Sequence, residues 1–175
     1  MSERTLQDVF VTYLRDAHAL ERLIDTALGA LIRTTDAPEL RIPLEHHRSM
    51  TREHLNALAD RLHAHEARPS AVKDTGLALA AFGEGLLAKA RRDHAGKNAR
   101  DAYVLIHLAI AGYEMLGHLA DRMHDDTTAR LIRHHLDEER ATAATIDARW
   151  DVLLDLSLRH AGVPAAPAMA GDGVR

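Results

Sequence analysis

The chain contains no cysteine. Disulfides, thiolate metal sites and thiol nucleophiles are therefore excluded. Aromatic residues make up only 3% of its 175 positions, against 46% hydrophobic residues overall. A core so rich in Ala and Leu and so poor in rings suits closely packed helices better than a β-sandwich. No uninterrupted apolar run reaches about 18 residues, so no membrane-spanning segment is expected. The opening stretch "MSERTLQDVF" lacks an apolar signal core. There is no excess of basic residues, and a net charge of −4 argues against a dedicated nucleic-acid binder. The expectation is a soluble, cytoplasmic, single-domain protein, long enough to bury a real core.

Histidine is abundant, with 13 in the chain and three of them in "HHRSMTREHL", residues 46–55. Such enrichment raises the expectation of metal or acid–base chemistry. His47 and His54 are two helical turns apart, so one face of a helix would carry both, with Met50 and Thr51 between them.

Apolar periodicity predicts four long helices. Thr5 suits an N-cap, with Asp8 favourably placed in the first turn. Phe10, Leu14, Ala17, Ile24, Leu28 and Leu31 then recur at helical spacing. This predicts a first helix of roughly 28 residues, about 42 Å long. Pro38 suits the early turn of a second helix. Pro43 either starts that helix proper or kinks it. Leu44, His47, Thr51, Leu55, Leu58 and Leu62 form its stripe, and "HEARPS" closes it. The stretch 71–92 is helical in pattern but interrupted by Gly76, Gly83 and Gly85, which predicts a broken helix. "DHAGKNAR" reads as a loop. A third helix is expected over 101–124 and a fourth from "DDTT" to Leu158.

Two long helices, a connection of about 35 residues and two more long helices describe a ferritin-like bundle with one long crossover. The domain division is then a bundle over 1–159 and a disordered Ala/Gly/Pro-rich tail over 160–175. That tail could serve as a docking peptide for a protein partner.

Two carboxylates interrupt these stripes. Glu21 falls among the apolar positions of the first helix. Glu139 falls among Ile132, Leu136, Ala143, Ile146, Trp150 and Leu153 of the fourth. Each lies near mid-helix, so both should reach the central layer of the bundle. A buried carboxylate must be paired, metal-bound or protonated. His54 on the second helix could meet them. Three helices would then each offer one ligand to a single ion, and carboxylate plus imidazole suits iron, manganese or zinc. The same acids could instead be held by His54, Arg149 or water, with no metal. Spacing alone leaves both open. Glu138, His135 and Glu114 are secondary candidates. His135 stands i,i+3 to Glu138 and i,i+4 to Glu139, where it could orient a ligand. Glu114 belongs to a polar row with His107 and His118 and reads as a solvated flank. His18, one turn before Glu21, is a candidate partner for it.

"LQDVFVTYLRDAHALERL", "APEL", "EHL", "AGYEML" and "LDEERATA", in this order and spacing, resemble the YciF-like branch of the ferritin-like superfamily over roughly residues 5–157. The resemblance implies a four-helix bundle, usually dimeric, with a di-metal carboxylate centre and a loose link to stress responses. It assigns Glu21, His54 and the pair Glu138 and Glu139 to ligand positions. It also implies a glutamate where Met50 stands, and acids where Ile106 and Ala109 stand. A bridged two-metal centre needs about four carboxylates and two histidines. Glu21, Glu139 and His54 fall short of that set, which favours a single ion over a dinuclear oxidase.

Two function classes follow. One is a stress-related binder of a single ion, acting if at all as a metal-dependent oxidoreductase. The other is a non-enzymatic, dimeric helical module that holds no metal and works through its surface or its tail.

Overall fold

Thr5 starts the first helix, α1 (Leu6–Arg33), through a reciprocal cap. Its hydroxyl accepts from the Asp8 N–H at 3.2 Å, and the Asp8 carboxylate accepts from the Thr5 N–H at 2.9 Å. A short turn leads into α2 (Pro38–Ala64), where Pro38 occupies a first-turn position and Pro43 lies inside the helix. α3 (Ala95–Arg122) and α4 (Asp126–Asp147) follow, and α5 (Trp150–His160) closes the order. The structure, a computed structural model, describes residues 4–69 and 95–163. The broken helix expected over 71–92, and nearly all of the expected tail, lie outside the described residues.

Among the described residues the fold is an all-α, ferritin-like bundle. α1 packs on α2 and α3, α4 packs on α3 and α2, and α5 rests on α3. Polar contacts at the two ends fix the directions. At one end Asn98, in the first described turns of α3, donates to Thr35 Oγ1 at 2.8 Å in the turn between α1 and α2. At the other, Arg61 near the end of α2 donates to Thr128 Oγ1 at 2.8 Å and to Asp125 Oδ2 at 3.0 Å, at the start of α4. α2 and α3 therefore run parallel. The end of α2 and the start of α3 thus lie at opposite ends of the bundle, the arrangement expected of a bundle with one long crossover.

Two boundaries differ from the sequence expectation. α3 includes "AGKNAR", expected as loop. Gly and Asn are poor helix formers, but tertiary contacts hold this turn. Gly96 N–H donates to Ser157 Oγ of α5 at 2.9 Å, and Asn98 and Ala99 are buried. The fourth helix is not continuous to Leu158. It breaks at Ala148 and Arg149, and α5 turns onto α3. The break brings Leu153 into full burial and sets Trp150 edge-on to Tyr103, with ring centroids 5.4 Å apart.

α3 is also long and apolar enough to cross a membrane, by length and composition alone. Its packing against α1, α4 and α5 accounts for that apolarity as the core helix of a bundle.

Candidate metal centre

Four helices contribute polar side chains to one layer near the middle of the bundle. Glu21 comes from α1, His47 and His54 from α2, Tyr113 from α3, and His135 and Glu139 from α4. All are buried. Buried apolar residues on the same helix faces, such as Ala17 and Ile24 beside Glu21 and Leu136 and Ala143 beside Glu139, carry this layer inward.

The structure brings Glu21, His54 and Glu139 together. Their ligand atoms all lie within 4.8 Å of one another. His54 Nδ1 is 3.5 Å from Glu21 Oε1 and 3.7 Å from Glu139 Oε1. Donors bound to one ion at about 2.0–2.2 Å stand roughly 3–3.5 Å from each other, so small adjustments would close this triad on a metal.

The free lone pairs point the same way. Glu21 Oε2 and His54 Nδ1 are buried without a hydrogen-bond partner. Such atoms are costly to leave empty-handed. The donor set fits too: two carboxylates and one imidazole are hard-to-borderline ligands, suited to iron, manganese or zinc.

The surrounding groups hold the triad in place. Tyr113 donates its phenolic hydrogen to Glu21 Oε1 at 2.6 Å. Burial, reinforced by the charge of Glu21, raises the Tyr113 hydroxyl well above its ordinary value and keeps it a donor. Glu138 is not part of the triad. It stands at the flank, 29% exposed, with its carboxylate 2.8 Å from His54 Nε2. With Nε2–H donated to Glu138, Nδ1 is the lone-pair nitrogen that faces Glu21 and Glu139. Burial opposes protonation of His54, but the close approach and charge of Glu21, the hydrogen bond to Glu138 and the charge of Glu139 outweigh it and raise its pKa.

Glu139 is held by His47, whose Nε2 lies 3.2 Å from Oε1 and 3.1 Å from Oε2. His135 stacks on His54 with ring centroids 3.8 Å apart and an interplanar angle of 23°. Burial, with the neighbouring His54 and His134, lowers its pKa to about 3, so it is a neutral wall of the site.

The remaining candidates lie elsewhere. Glu114 pairs with Arg140 at the surface, and His107, His118 and His46 are exposed. His18 is buried, but the donor to Glu21 is Tyr113. Arg149 donates to the Thr145 carbonyl and does not hold the buried acids. Met50, Ile106 and Ala109 are buried among the helices. Sequence reasoning did not single out Tyr113 or give His47 a role. An inward Tyr in a stripe of Leu and Ile is the available signal for the first, since a buried hydroxyl needs a partner.

The family described as "Domain of unknown function (DUF892)" matches residues 5–156. Protein YciF of Escherichia coli (strain K12) is 28% identical over 151 residues, covering 81% of this chain and 88% of that protein. The crystal structure of the E. coli stress protein YciF is similar in fold, with a TM-score of 0.72, 21% identity, and 88% of this chain and 98% of that chain covered. A protein from Xanthomonas campestris pv. campestris gives a TM-score of 0.74 at 19% identity, over 90% of this chain and 99% of its own. The dodecameric thioferritin of Bacteroides fragilis, a bacterioferritin-related protein, gives 0.65 at 18% identity, over 89% of this chain and 90% of its own.

Proposed function

The chain belongs to the DUF892 family, in the YciF-like branch of the ferritin-like superfamily, and from that premise we propose that it binds a single divalent transition-metal ion in the middle of its bundle. Glu21, His54 and Glu139 are the ligands. The observation that carries this reading is the convergence of the Glu21 carboxylate, His54 Nδ1 and the Glu139 carboxylate from three different helices, with Glu21 Oε2 and His54 Nδ1 buried and unpartnered. The E. coli relative is described as a stress protein, and we extend that to a role for this chain in handling metal or oxidant under stress.

The protein's own residues orient and insulate. Tyr113 fixes one oxygen of Glu21. Glu138 sets the tautomer of His54, the carboxylate–histidine pairing that orients metal ligands. His47 clamps Glu139. The neutral ring of His135 covers His54 and excludes water from one side. An iron or manganese ion held there would supply one-electron chemistry toward dioxygen or peroxide. A zinc ion would not.

The second reading is a bundle with no metal. It draws on the fact that Glu21 and Glu139 each already have a protein hydrogen-bond partner, Tyr113 and His47. It does not account for the two unpartnered atoms, or for the spacing that lets the triad share an ion.

The discriminating experiment is a thermal melt of chelator-stripped protein with added manganese, zinc or anaerobic ferrous ion. A free-ion concentration about 100 times the Kd should stabilise the fold by about 2.7 kcal/mol. Glu139→Ala should abolish that gain. Stabilisation absent from the wild type, or unchanged in the variant, would rule out the reading.

A further inference from the structure

We infer that His47 limits the centre to one ion by occupying the oxygen of Glu139 that a second ion would need; the inference rests on the single-ion reading above. In a two-ion carboxylate centre, at least one carboxylate is shared, one oxygen to each metal. Glu139 is the residue placed to do this here. It is completely buried and meets the triad through Oε1, which lies 3.7 Å from His54 Nδ1.

Its other oxygen, Oε2, is the nearer of the two to His47. His47 Nε2 sits 3.1 Å from Oε2 and 3.2 Å from Oε1, so one N–H spans both oxygens. The neutral tautomer suffices. It donates from Nε2 and leaves Nδ1 as the acceptor nitrogen, which is the buried His47 atom without a partner. His47 is only 1% exposed and cannot swing into solvent without opening the seam between α2 and α4.

Among the described residues, the buried face of α2 offers no carboxylate to replace that proton with a metal. One turn along α2, Thr51 adds a neutral, unpartnered hydroxyl. Met50 adds a thioether, a soft and weak donor for iron, manganese or zinc. Met50 and Glu138 line a surface groove of about 350 Å³ between α2 and α4. Glu138 itself is committed to His54 Nε2 at 2.8 Å. A second divalent ion would therefore share Glu139 with the first and gain no carboxylate from the buried face of α2. The N–H of His47 stands in for it at far lower charge.

The test counts ions rather than turnover. Full-length protein is dialysed against manganese, and bound metal and the electron paramagnetic resonance spectrum are measured. The wild type should hold about one ion per chain, with the spectrum of isolated ions. Met50→Glu should still hold about one, because His47 continues to cover Glu139. The pair His47→Ala with Met50→Glu should hold about two and show an exchange-coupled spectrum. Circular dichroism checks that each variant folds, and His47→Ser with Met50→Glu replaces the first pair if it does not.

A second ion in Met50→Glu alone, or a folded double variant that stays at about one ion, would overturn the inference while leaving the single-ion reading intact. A wild type that binds no manganese would overturn both.

Discussion

Tyr113 of α3 donates to Glu21 of α1 across 2.6 Å, and both side chains are almost fully buried. This bond joins the two central helices at the layer where the acids lie. It fixes Glu21 Oε1, which lies 3.5 Å from His54 Nδ1, and leaves Oε2 buried without a partner.

Tyr113→Phe therefore strands a buried carboxylate oxygen. The metal-free variant should lose about 1–3 kcal/mol of stability, the cost of an unsatisfied buried acceptor. The loss should shrink when the ion is bound, because the metal then supplies Glu21 with a partner. Chemical denaturation with and without manganese measures both numbers. An equal loss in the two states would mean that Tyr113 acts through packing alone.

Glu138 acts on the ion through His54. Its carboxylate lies 2.8 Å from His54 Nε2 and is partly open to solvent. Glu138→Ala should weaken metal affinity about 10–100-fold while leaving the number of ions unchanged, as is usual when the partner of a histidine ligand is removed. Calorimetric titration resolves affinity from stoichiometry. A change in stoichiometry would instead make Glu138 a ligand.

A second polar cluster, away from the centre, governs stability in acid. Asp125 caps α4 by accepting from the Thr128 N–H at 3.0 Å, and it also meets Arg61 and His65. Burial raises its pKa, but hydrogen bonds from the Thr128 side chain and backbone, His65 and Arg61 outweigh that and hold it well below the usual carboxylate range. A depressed carboxylate contributes stability above its unfolded value of about 3.9 and loses it as pH falls toward the folded one. Asp125→Ala should cost about 1–2 kcal/mol at neutral pH. The gap between wild type and variant should narrow as pH drops below about 4. Melting temperatures across that range check it, and a gap independent of pH would show that the cap's charge contributes nothing.

Much of this was readable beforehand, for identifiable reasons. Thr5 is legible as a cap and "DDTT" as a helix start because local chemistry marks helix ends. Glu21 and Glu139 stood out because a charge in an apolar stripe breaks a short-range pattern. His54 followed from sharing that layer. Tyr113 and His47 did not stand out as contributors because what defines them is a partner far along the chain, Glu21 for one and Glu139 for the other. Periodicity gives the face of a residue and not what it meets. The start of α3 reads as loop in the sequence for a related reason. Its Gly and Asn carry loop-like local signals, and the bonds to Ser157 and Thr35 that hold it helical come from other elements.

The ion itself offers the most direct test. Purified wild-type protein should carry about one equivalent of iron, manganese or zinc. Anomalous scattering from its crystals should place that ion between Glu21, His54 and Glu139, and Glu21→Ala should lose it. Metal that is far below one equivalent and unchanged in Glu21→Ala would contradict the account.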